Sequence, residues 1–352
     1  MYICRLNNKN NTKNNTMKRL SLLFALFALP IFIVTAKEPQ KIIFDTDMGN
    51  DVDDVIALDM LYKYHDAGDI NLLGIVSSRR EVGSVQFLDV MNTLYGYPTL
   101  PIGIVKTYPT EGYKMDPRVK YAEYTAAKHP YARSVKDYEA LPDGYKLFRR
   151  LLAAEEDGSV TIVAVGFSTN LSRLVASPAD EFSPLTGKEL IARKVKRVVM
   201  MAGNFYEQKP EYNIRKDIVA ATRFIEECPV EILFSDYKLG HDVLYPFTAL
   251  YDCFGFMEHH PAIVAFEYYG TMPYNRPSWD PTAVLYAVEL SGKYASLSKR
   301  GYVTVNQKGV TIFTEDNKSK HRYFTTTDAQ RMATLRRIIE ITKRRPKLLK
   351  IQ

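Results

Sequence analysis

Short apolar runs alternate with amphipathic segments along much of the chain. The runs, which predict buried strands, lie at 41–44, 72–76, 161–165 and 198–201. Segments 55–61 and 85–95, which follow the first two runs, carry apolar residues at helical spacing. Apolar strands that alternate with helices are typical of a parallel sheet covered on both faces. We therefore expect an α/β fold of three layers, an open and mainly parallel sheet with helices on both faces, in which ligands bind beyond the carboxyl ends of the strands.

Residues 106–149 interrupt this alternation. The segment is rich in charge and in tyrosine, with Tyr108, Tyr113, Tyr121 and Tyr124. It is longer than an ordinary connection, so it is either functional, as a lid over a substrate, or an insertion with helices of its own that its aromatic residues pack onto the domain. Both interpretations stay open at the level of the sequence.

The N-terminal residues differ from the rest in their pattern. Residues 1–16 are rich in Asn and Lys and lack an apolar period, which predicts a disordered leader upstream of a true start at Met17. Residues 17–36 combine two basic residues, an apolar run at 20–34 and a small residue at the end, the order of a secretory signal peptide. The run is shorter than the roughly 20 residues that span a membrane. We expect cleavage after Ala36 and a secreted or periplasmic protein.

Charge and cysteine content change once this leader is removed. Cleavage takes away five basic residues and no acidic one, so the formal net charge falls from +7 to +2. The mature part, residues 37–352 and expected to be one domain, then has no basic excess that would indicate binding to nucleic acid or to a membrane surface. It keeps Cys228 and Cys253, which lack metal-binding spacing. One disulfide and two buried thiols are both compatible with this sequence.

The densest cluster of reactive side chains follows the first predicted strand. Residues 45–54, Asp-Thr-Asp-Met-Gly-Asn-Asp-Val-Asp-Asp, hold five carboxylates. Carboxylates this close repel one another, so such a loop normally binds a cation, and oxygen ligands favour calcium, magnesium or manganese over zinc. Asp53 and Asp54 could instead cap the following helix, but capping needs one acid rather than five. An EF-hand fits poorly, because its loop lies between two helices and ends in Glu.

Four motifs in this chain resemble those of the nucleoside hydrolases, the inosine- and uridine-preferring family. The acidic loop is similar to the family's first signature, Asp-x-Asp-Pro-Gly-x-Asp-Asp. It has Met48 in place of Pro and two extra residues before the Asp pair, an arrangement similar to that of a divergent secreted branch. The other three motifs follow in the family's order, at residues 165–171, 201–213 and 278–284. The resemblance runs from about Lys41 to the end of the chain.

The resemblance implies a calcium-dependent glycosidase that hydrolyses the N-glycosidic bond of a ribonucleoside or a related riboside. Its Ca²⁺ ligands would be Asp47, Asp54, Asp280 and the backbone carbonyl of Val165. Asp47 would also be the catalytic base that activates a metal-bound water. The ribose hydroxyls would be bound by Asp53, Asn204, Glu211 and Asn213. Negative groups around the ring favour an oxocarbenium-like transition state. The expected partner is a small riboside, and a homo-oligomer is left open.

Two positions depart from the family's pattern. Trp279 stands directly before Asp280, where well-known members have a His that helps to protonate the departing base. An indole cannot supply that proton, so we place Trp279 in the substrate pocket but do not carry over inosine-like specificity. After the second strand the family often has Gly-Asn, whereas this chain has Arg79 and Arg80 at the end of the corresponding stretch. Either arginine could contact an acidic leaving group, but we expect a surface position.

Two other functions fit parts of this pattern. A haloacid dehalogenase-like phosphohydrolase also has Asp-x-Asp after its first strand, but it would need a downstream Lys and a second acidic pair for magnesium. The motifs at 211–213 and 279–281 fit it poorly. A non-catalytic, calcium-dependent riboside-binding protein could keep the same ligands as the enzyme. Turnover of a riboside separates the enzyme from the binding protein.

Overall fold

Strands and helices alternate along the chain in the computed structural model, which describes residues 38–107 and 120–347. The strands are β1 (Gln40–Thr46), β2 (Ile70–Ser77), β3 (Ile102–Ile104), β4 (Val160–Ala164), β5 (Val195–Met201), β6 (Ile232–Ser235), β7 (Leu244–Tyr245), β8 (Arg276–Pro277), β9 (Ser296–Leu297), β10 (Gly301–Val305), β11 (Thr311–Glu315) and β12 (Arg322–Thr325). The helices are α1 (Asp53–Ala67), α2 (Val82–Leu94), α3 (Tyr121–Lys128), α4 (Gly144–Ala153), α5 (Thr169–Val175), α6 (Gly187–Lys194), α7 (Tyr212–Lys216), α8 (Ile218–Glu227), α9 (Tyr237–His241), α10 (Phe247–Phe254), α11 (Pro261–Tyr269), α12 (Trp279–Val288) and α13 (Asp328–Thr342). The expected leader and signal peptide lie outside the described residues, as do Tyr108 and Tyr113.

The central sheet has the strand order β3-β2-β1-β4-β5-β6-β12-β9. Neighbouring strands are parallel from β3 to β12, and β9, at one edge, runs antiparallel to its neighbour. The first strand, β1, is an inner strand of the sheet, with β2 and β3 on one side of it and β4 on the other. This reversal leaves a crevice at the carboxyl ends of β1 and β4, where open α/β sheets bind ligands. The predicted α/β fold with a mainly parallel sheet is confirmed.

Each face of the sheet carries its own hydrophobic core. Ile42 and Phe44 of β1 belong to one core and Ile43 to the other, because successive side chains of a strand point to opposite faces. Helix α1 packs on the first face and is buried along most of its length. Leu147 and Phe148 of α4 pack on the second face. Burial on both faces explains why the strands are apolar at successive positions and why three layers form.

The described part of the segment 106–149 is an insertion with helices of its own. It contains α3 and the first residues of α4. Asp89 of α2 holds the stretch between these helices, since its carboxylate accepts hydrogen bonds from the backbone N–H of Ser134 (3.0 Å), the backbone N–H of Val135 (3.0 Å) and the hydroxyl of Tyr138 (2.7 Å). Of the two interpretations, the described residues support the packed insertion.

Both cysteines of the described chain are unpaired. Cys228 follows α8, Cys253 lies on α10, and both are buried. The alternative of two buried thiols therefore holds. In the ranges that the structure describes, no helix is both long enough and apolar enough to cross a membrane.

Candidate active site

The acidic loop leaves β1 in a tight turn. The backbone N–H of Met48 donates to the Thr46 hydroxyl (3.1 Å). Gly49 adopts a φ of 103°, in the left-handed region that favours glycine. A side chain at Gly49 would also collide with Arg79, whose Nη1 lies 2.0 Å from the position that a Cβ would take. These local constraints fix the path of the loop at the carboxyl end of β1.

Two helix N-termini bring three carboxylates together. Asp53 and Asp54 begin α1 and Asp280 lies in the first turn of α12, where acidic side chains interact favourably with the helix dipole. The backbone N–H of Asp280 donates to Asp53 Oδ2 (2.9 Å) and so joins the two helices. One carboxylate oxygen of each residue lies within 4.8 Å of the other two, and all three side chains are buried.

The protein itself neutralises these carboxylates poorly. Burial raises the pKa of Asp53, Asp54 and Asp280 well above the ordinary value, and the charges of neighbouring aspartates raise it further. Asp53 Oδ1 and Asp54 Oδ2 are buried without a hydrogen-bond partner in the described part of the chain. Buried carboxylate oxygens in this state fit a hard divalent cation such as calcium or magnesium. The structure thus groups Asp53, expected to bind the sugar, with two of the expected metal ligands.

Asp47 lies close to this cluster. Its charge contributes to the raised pKa of Asp54 and of Asp280. Burial raises the pKa of Asp47 itself to about 7, and the positive charge of Arg79 opposes this effect. Asp47 Oδ2 is buried and has no hydrogen-bond partner among the described residues. A carboxylate whose pKa is near neutrality can accept a proton from water at neutral pH, so Asp47 is chemically suited to act as a base.

Asp47, Asp53 and Asp280 border a cavity of about 300 Å³. The expected site residues that line it are Asp47, Asp53, Val165, Glu211, Asn213, Trp279 and Asp280. Asp54 does not line the cavity but belongs to the carboxylate cluster. Pockets for small molecules begin at about this volume. The loops after β1, β4 and β5 and the start of α12 thus surround the same cavity.

Glu211 and Asn213 are fixed by the short helix at which they lie. Glu211 caps α7, because its carboxylate accepts hydrogen bonds from the backbone N–H groups of Asn213 (2.8 Å) and Ile214 (3.1 Å). Asn213 Nδ2 donates to the carbonyl of Val165 (2.9 Å), which follows β4. A carbonyl oxygen has two lone pairs, so Val165 can still accept another partner. Burial raises the pKa of Glu211 to about 7.

Asn204 is the expected sugar ligand that does not line the cavity. Its side chain is engaged in its own loop, where Oδ1 accepts a hydrogen bond from the backbone N–H of Glu207 (3.0 Å) and Nδ2 lies 3.5 Å from the Glu207 carboxylate. Its backbone N–H donates to the Thr311 hydroxyl (3.1 Å). The Asn204 side chain is thus held within its own loop, and its role as a sugar ligand stays a prediction.

Further residues line the cavity that the sequence did not indicate as site residues: Asn50, Asp51, Met201, Tyr212, Tyr237 and Tyr269. The Tyr212 hydroxyl donates to Asn50 Oδ1 (3.1 Å). Trp279 donates its indole N–H to the carbonyl of Tyr237 (2.9 Å). With Trp279, the three tyrosines give the cavity aromatic surface on which a planar base could stack. Tyr237 and Tyr269 stand outside every motif, so no local signal pointed to them.

The expected surface position is wrong for Arg79, whose side chain is fully buried, and right for Arg80, which is exposed. The Nε of Arg79 donates to Glu81 (3.1 Å), and its two Nη atoms lie 3.4 Å from the Met48 carbonyl and 3.5 Å from the Glu123 carboxylate of α3. These partners offset the cost of burying a charge. Glu81, two residues further on, was the signal in the sequence that could have predicted a paired arginine.

Nucleoside hydrolases share the sequence pattern and the fold of this chain. A sequence model of the family described as inosine-uridine preferring nucleoside hydrolase matches residues 42–334. Similar solved structures include the plant nucleoside hydrolase PpNRh1, with 21% identity, a TM-score of 0.67 and coverage of 87% of this chain and 100% of that chain. A purine-preferring ribonucleoside hydrolase from Gardnerella vaginalis has 16% identity and a TM-score of 0.66 over 86% of this chain and 99% of that chain.

The same fold occurs in the type III effector protein XopQ, solved in complex with adenosine diphosphate ribose. Its identity to this chain is 12% and its TM-score 0.61, over 88% of this chain and 94% of that chain. Identities this low show a likeness of fold alone. No curated protein matches the chain at a significant level.

The family match, in contrast, spans most of the chain and includes the whole carboxylate site, from Asp47 to Asp280. The matched range also includes Glu211 and Asn213, which lie in the third of the four motifs. The chain therefore belongs to the inosine-uridine preferring nucleoside hydrolase family.

Proposed function

We propose that this protein hydrolyses the N-glycosidic bond of a ribonucleoside or a related riboside. The observation that carries the proposal is a group of buried carboxylates with unpartnered oxygens beside a cavity of a size suited to a small ligand. Such a group can bind a cation, take a proton from water and stabilise positive charge on a sugar ring. Membership of the family supports the same class of reaction.

We also propose that the cation is calcium. Asp53, Asp54 and Asp280 would hold it, with Asp47 and the Val165 carbonyl as further oxygen ligands of the same site. Calcium accepts roughly six to eight oxygen ligands in flexible geometry, which suits crowded aspartates better than the strict octahedron of magnesium. When bound, the ion would supply positive charge that polarises water and the sugar hydroxyls.

The residues of the chain would then have distinct roles. Asp47 would accept a proton from the attacking water, because it lines the cavity and its Oδ2 has no hydrogen-bond partner among the described residues. Glu211 and Asn213 would bind the ribose hydroxyls, since both line the cavity. Negative charge around the ring would favour an oxocarbenium-like transition state. Tyr237 and Trp279 would offer their rings to the leaving base.

A riboside-binding protein without turnover is the second candidate. Trp279 favours it, because this residue cannot protonate a departing base as the family's His does. XopQ, a protein of this fold, was solved in complex with one such riboside, adenosine diphosphate ribose. The phosphohydrolase alternative is no longer required, because membership of the nucleoside hydrolase family accounts for the Asp-x-Asp loop.

Release of ribose from a panel of nucleosides tests the proposal. The purified protein would be incubated with calcium and with inosine, guanosine, adenosine, uridine or cytidine, and both free base and reducing sugar would be measured. We expect release from at least one nucleoside, its loss on chelation and its recovery when calcium is restored. Binding that calorimetry detects without any release of ribose would instead support the binding protein.

We propose in addition that the protein is secreted or periplasmic. The support is the order of basic residues, apolar run and small residue in segment 17–36. Cell fractionation followed by mass spectrometry should find the protein outside the cytoplasm with Lys37 as its first residue. A protein that keeps segment 17–36 and stays in the cytoplasm would contradict this.

A further inference from the structure

An ion pair joins the acidic loop to β8. The Nε of Arg276 donates to Asp51 Oδ1 (2.9 Å), and its Nη2 contacts the other carboxylate oxygen. The two side chains are 20% and 25% exposed, so the pair is partly shielded from water. Asp51 lies in the loop that is two residues longer than the family's usual signature, and it lines the cavity. The longer loop is therefore tied to a residue 225 positions away in the chain.

The same guanidinium group contacts two aromatic residues of the cavity wall. It lies 4.8 Å from the centre of the Tyr269 ring and 5.2 Å from that of Trp279, distances at which a cation is attracted to a ring face. Its Nη2 also donates a hydrogen bond to the Tyr269 hydroxyl (3.0 Å). Asp51, Tyr269 and Trp279 line the cavity, whereas Arg276 does not. Arg276 can therefore act on a ligand through these three residues.

The hydrogen bond from Arg276 determines what the Tyr269 hydroxyl can do. Its oxygen accepts from Arg276, so its own proton must point elsewhere, and no acceptor for that proton occurs among the described residues. Burial and the charge of Asp51 raise the pKa of Tyr269, so the hydroxyl keeps its proton at neutral pH. Tyr269 thus has a hydroxyl proton at the cavity wall that can form a hydrogen bond with a ligand. The neighbouring Trp279 has no acidic proton.

We propose that Arg276 is a positioning residue: by binding Asp51 and the Tyr269 hydroxyl together, it assembles the wall that receives the leaving group and directs the Tyr269 proton toward it. This inference rests on the proposed riboside hydrolysis and adds to it a hydrogen-bond donor for the aglycone. It also assigns a use to the two extra residues of the acidic loop.

The proton balance of the reaction is complete with these groups. The bond between the sugar C1′ and the aglycone nitrogen breaks, and its electron pair stays on the nitrogen. The oxygen of water forms the new bond to C1′ and gives one proton to Asp47. Tyr269 donates a hydrogen bond to the aglycone nitrogen, solvent supplies the proton that this nitrogen takes up, and solvent removes the proton on Asp47. One water is thereby added across the glycosidic bond.

Comparison of two leaving groups tests this inference. Uridine or inosine, whichever the wild-type protein hydrolyses faster, needs its base protonated or hydrogen-bonded, whereas p-nitrophenyl riboside releases an anion that is stable in water. For Tyr269→Phe we expect kcat on the nucleoside to fall by about 10²-fold, while kcat on the nitrophenyl riboside changes little. Arg276→Gln should show the same pattern. Arg276→Lys keeps the charge but loses the planar guanidinium group, so its activity on the nucleoside should lie between those of the wild type and Arg276→Gln.

Arg337→Gln is the matched control. Arg337 forms an ion pair with Glu289 at similar exposure, 24% and 23%, and Glu289 also accepts a hydrogen bond from a tyrosine, Tyr64. This control should leave both rates unchanged. Equal losses on both substrates in Tyr269→Phe and Arg276→Gln, or no loss on either, would overturn the inference although riboside hydrolysis itself stands. A wild-type protein that hydrolyses neither substrate would overturn the proposed function, and the inference with it.

Discussion

Replacing Asp54 with Asn should change stability in opposite directions with and without calcium. Asp54 is fully buried, one of its oxygens accepts a hydrogen bond from the Thr46 hydroxyl, and the other has no partner in the described protein. Asn has almost the same shape and can still accept from Thr46, but it removes one negative charge that lies near Asp53 and Asp280. The metal-free variant should therefore be more stable than the metal-free wild type, whereas its calcium affinity should be lower.

The expected magnitude follows from linkage between binding and folding. Calcium at 100 times its dissociation constant stabilises the folded state by about 2.7 kcal/mol. For a domain of this size, a change of 1 kcal/mol shifts the Tm by about 2 °C, so calcium should raise the Tm of the wild type by about 5 °C. Asp54→Asn should lose most of this shift, because a site with one carboxylate fewer binds calcium more weakly.

Thermal unfolding in a chelator and in calcium measures both effects. Asp217→Asn is the matched control, because Asp217 is also fully buried, accepts a hydrogen bond from a hydroxyl (Thr169, 2.8 Å) and has one unpartnered oxygen, but lies outside the carboxylate cluster. The control should keep the full calcium shift. If Asp54→Asn lowers the Tm in chelator and leaves the calcium shift intact, the assignment of a cation to this cluster is refuted.

Three further results are expected. Asp47→Asn should lower kcat by about 10²-fold or more while substrate still binds in calorimetry, and near-normal turnover would place the base elsewhere, with Asp53 the next candidate. Trp279, the only tryptophan and a cavity-lining residue, should change its emission when calcium or ribose is titrated, and flat emission during binding would contradict its place in the wall. Burial acts to raise the pKa of Asp89, but hydrogen bonds from Ser134 and Tyr138 lower this pKa overall. The Asp89 carboxylate should therefore stabilise the folded protein above pH ~4, and this stabilisation should be lost as the pH falls through the lowered pKa. The Tm difference between wild type and Asp89→Asn should accordingly shrink between pH 7 and pH 3, and a constant difference would argue against this role.

The fold was predictable from the sequence wherever a strand is buried on both faces. Ile42, Ile43 and Phe44 are apolar in succession because two cores need them, and such runs stand out in a sequence. Strands β7, β8 and β9 have two residues each and leave no comparable pattern. Strand β12 joins the sheet next to β6, which lies far from it in the chain, so its pairing depends on tertiary packing rather than on local sequence.

The acidic part of the site was predictable for a different reason. Asp47, Asp53 and Asp54 stand in one short loop, so their chemistry is visible without knowledge of the fold. Arg79 was misjudged because an arginine is normally exposed, and its burial depends on Glu123, which belongs to the inserted segment. Contacts of this kind arise only when distant parts of the chain meet.

The departures from the family's pattern gather on one side of the site. Trp279 and Asp51 both contact Arg276, and Tyr269 completes this group. The carboxylate cluster, in contrast, consists of residues that the resemblance to the family implies for the site. Under the proposed function the carboxylates act on the sugar and on water, so the step that cleaves the bond can stay the same while the wall facing the leaving group differs. We therefore expect this protein to differ from its relatives in which aglycone it releases rather than in how it activates water. A substrate panel that varies the base on a constant ribose will reveal that difference more directly than one that varies the sugar.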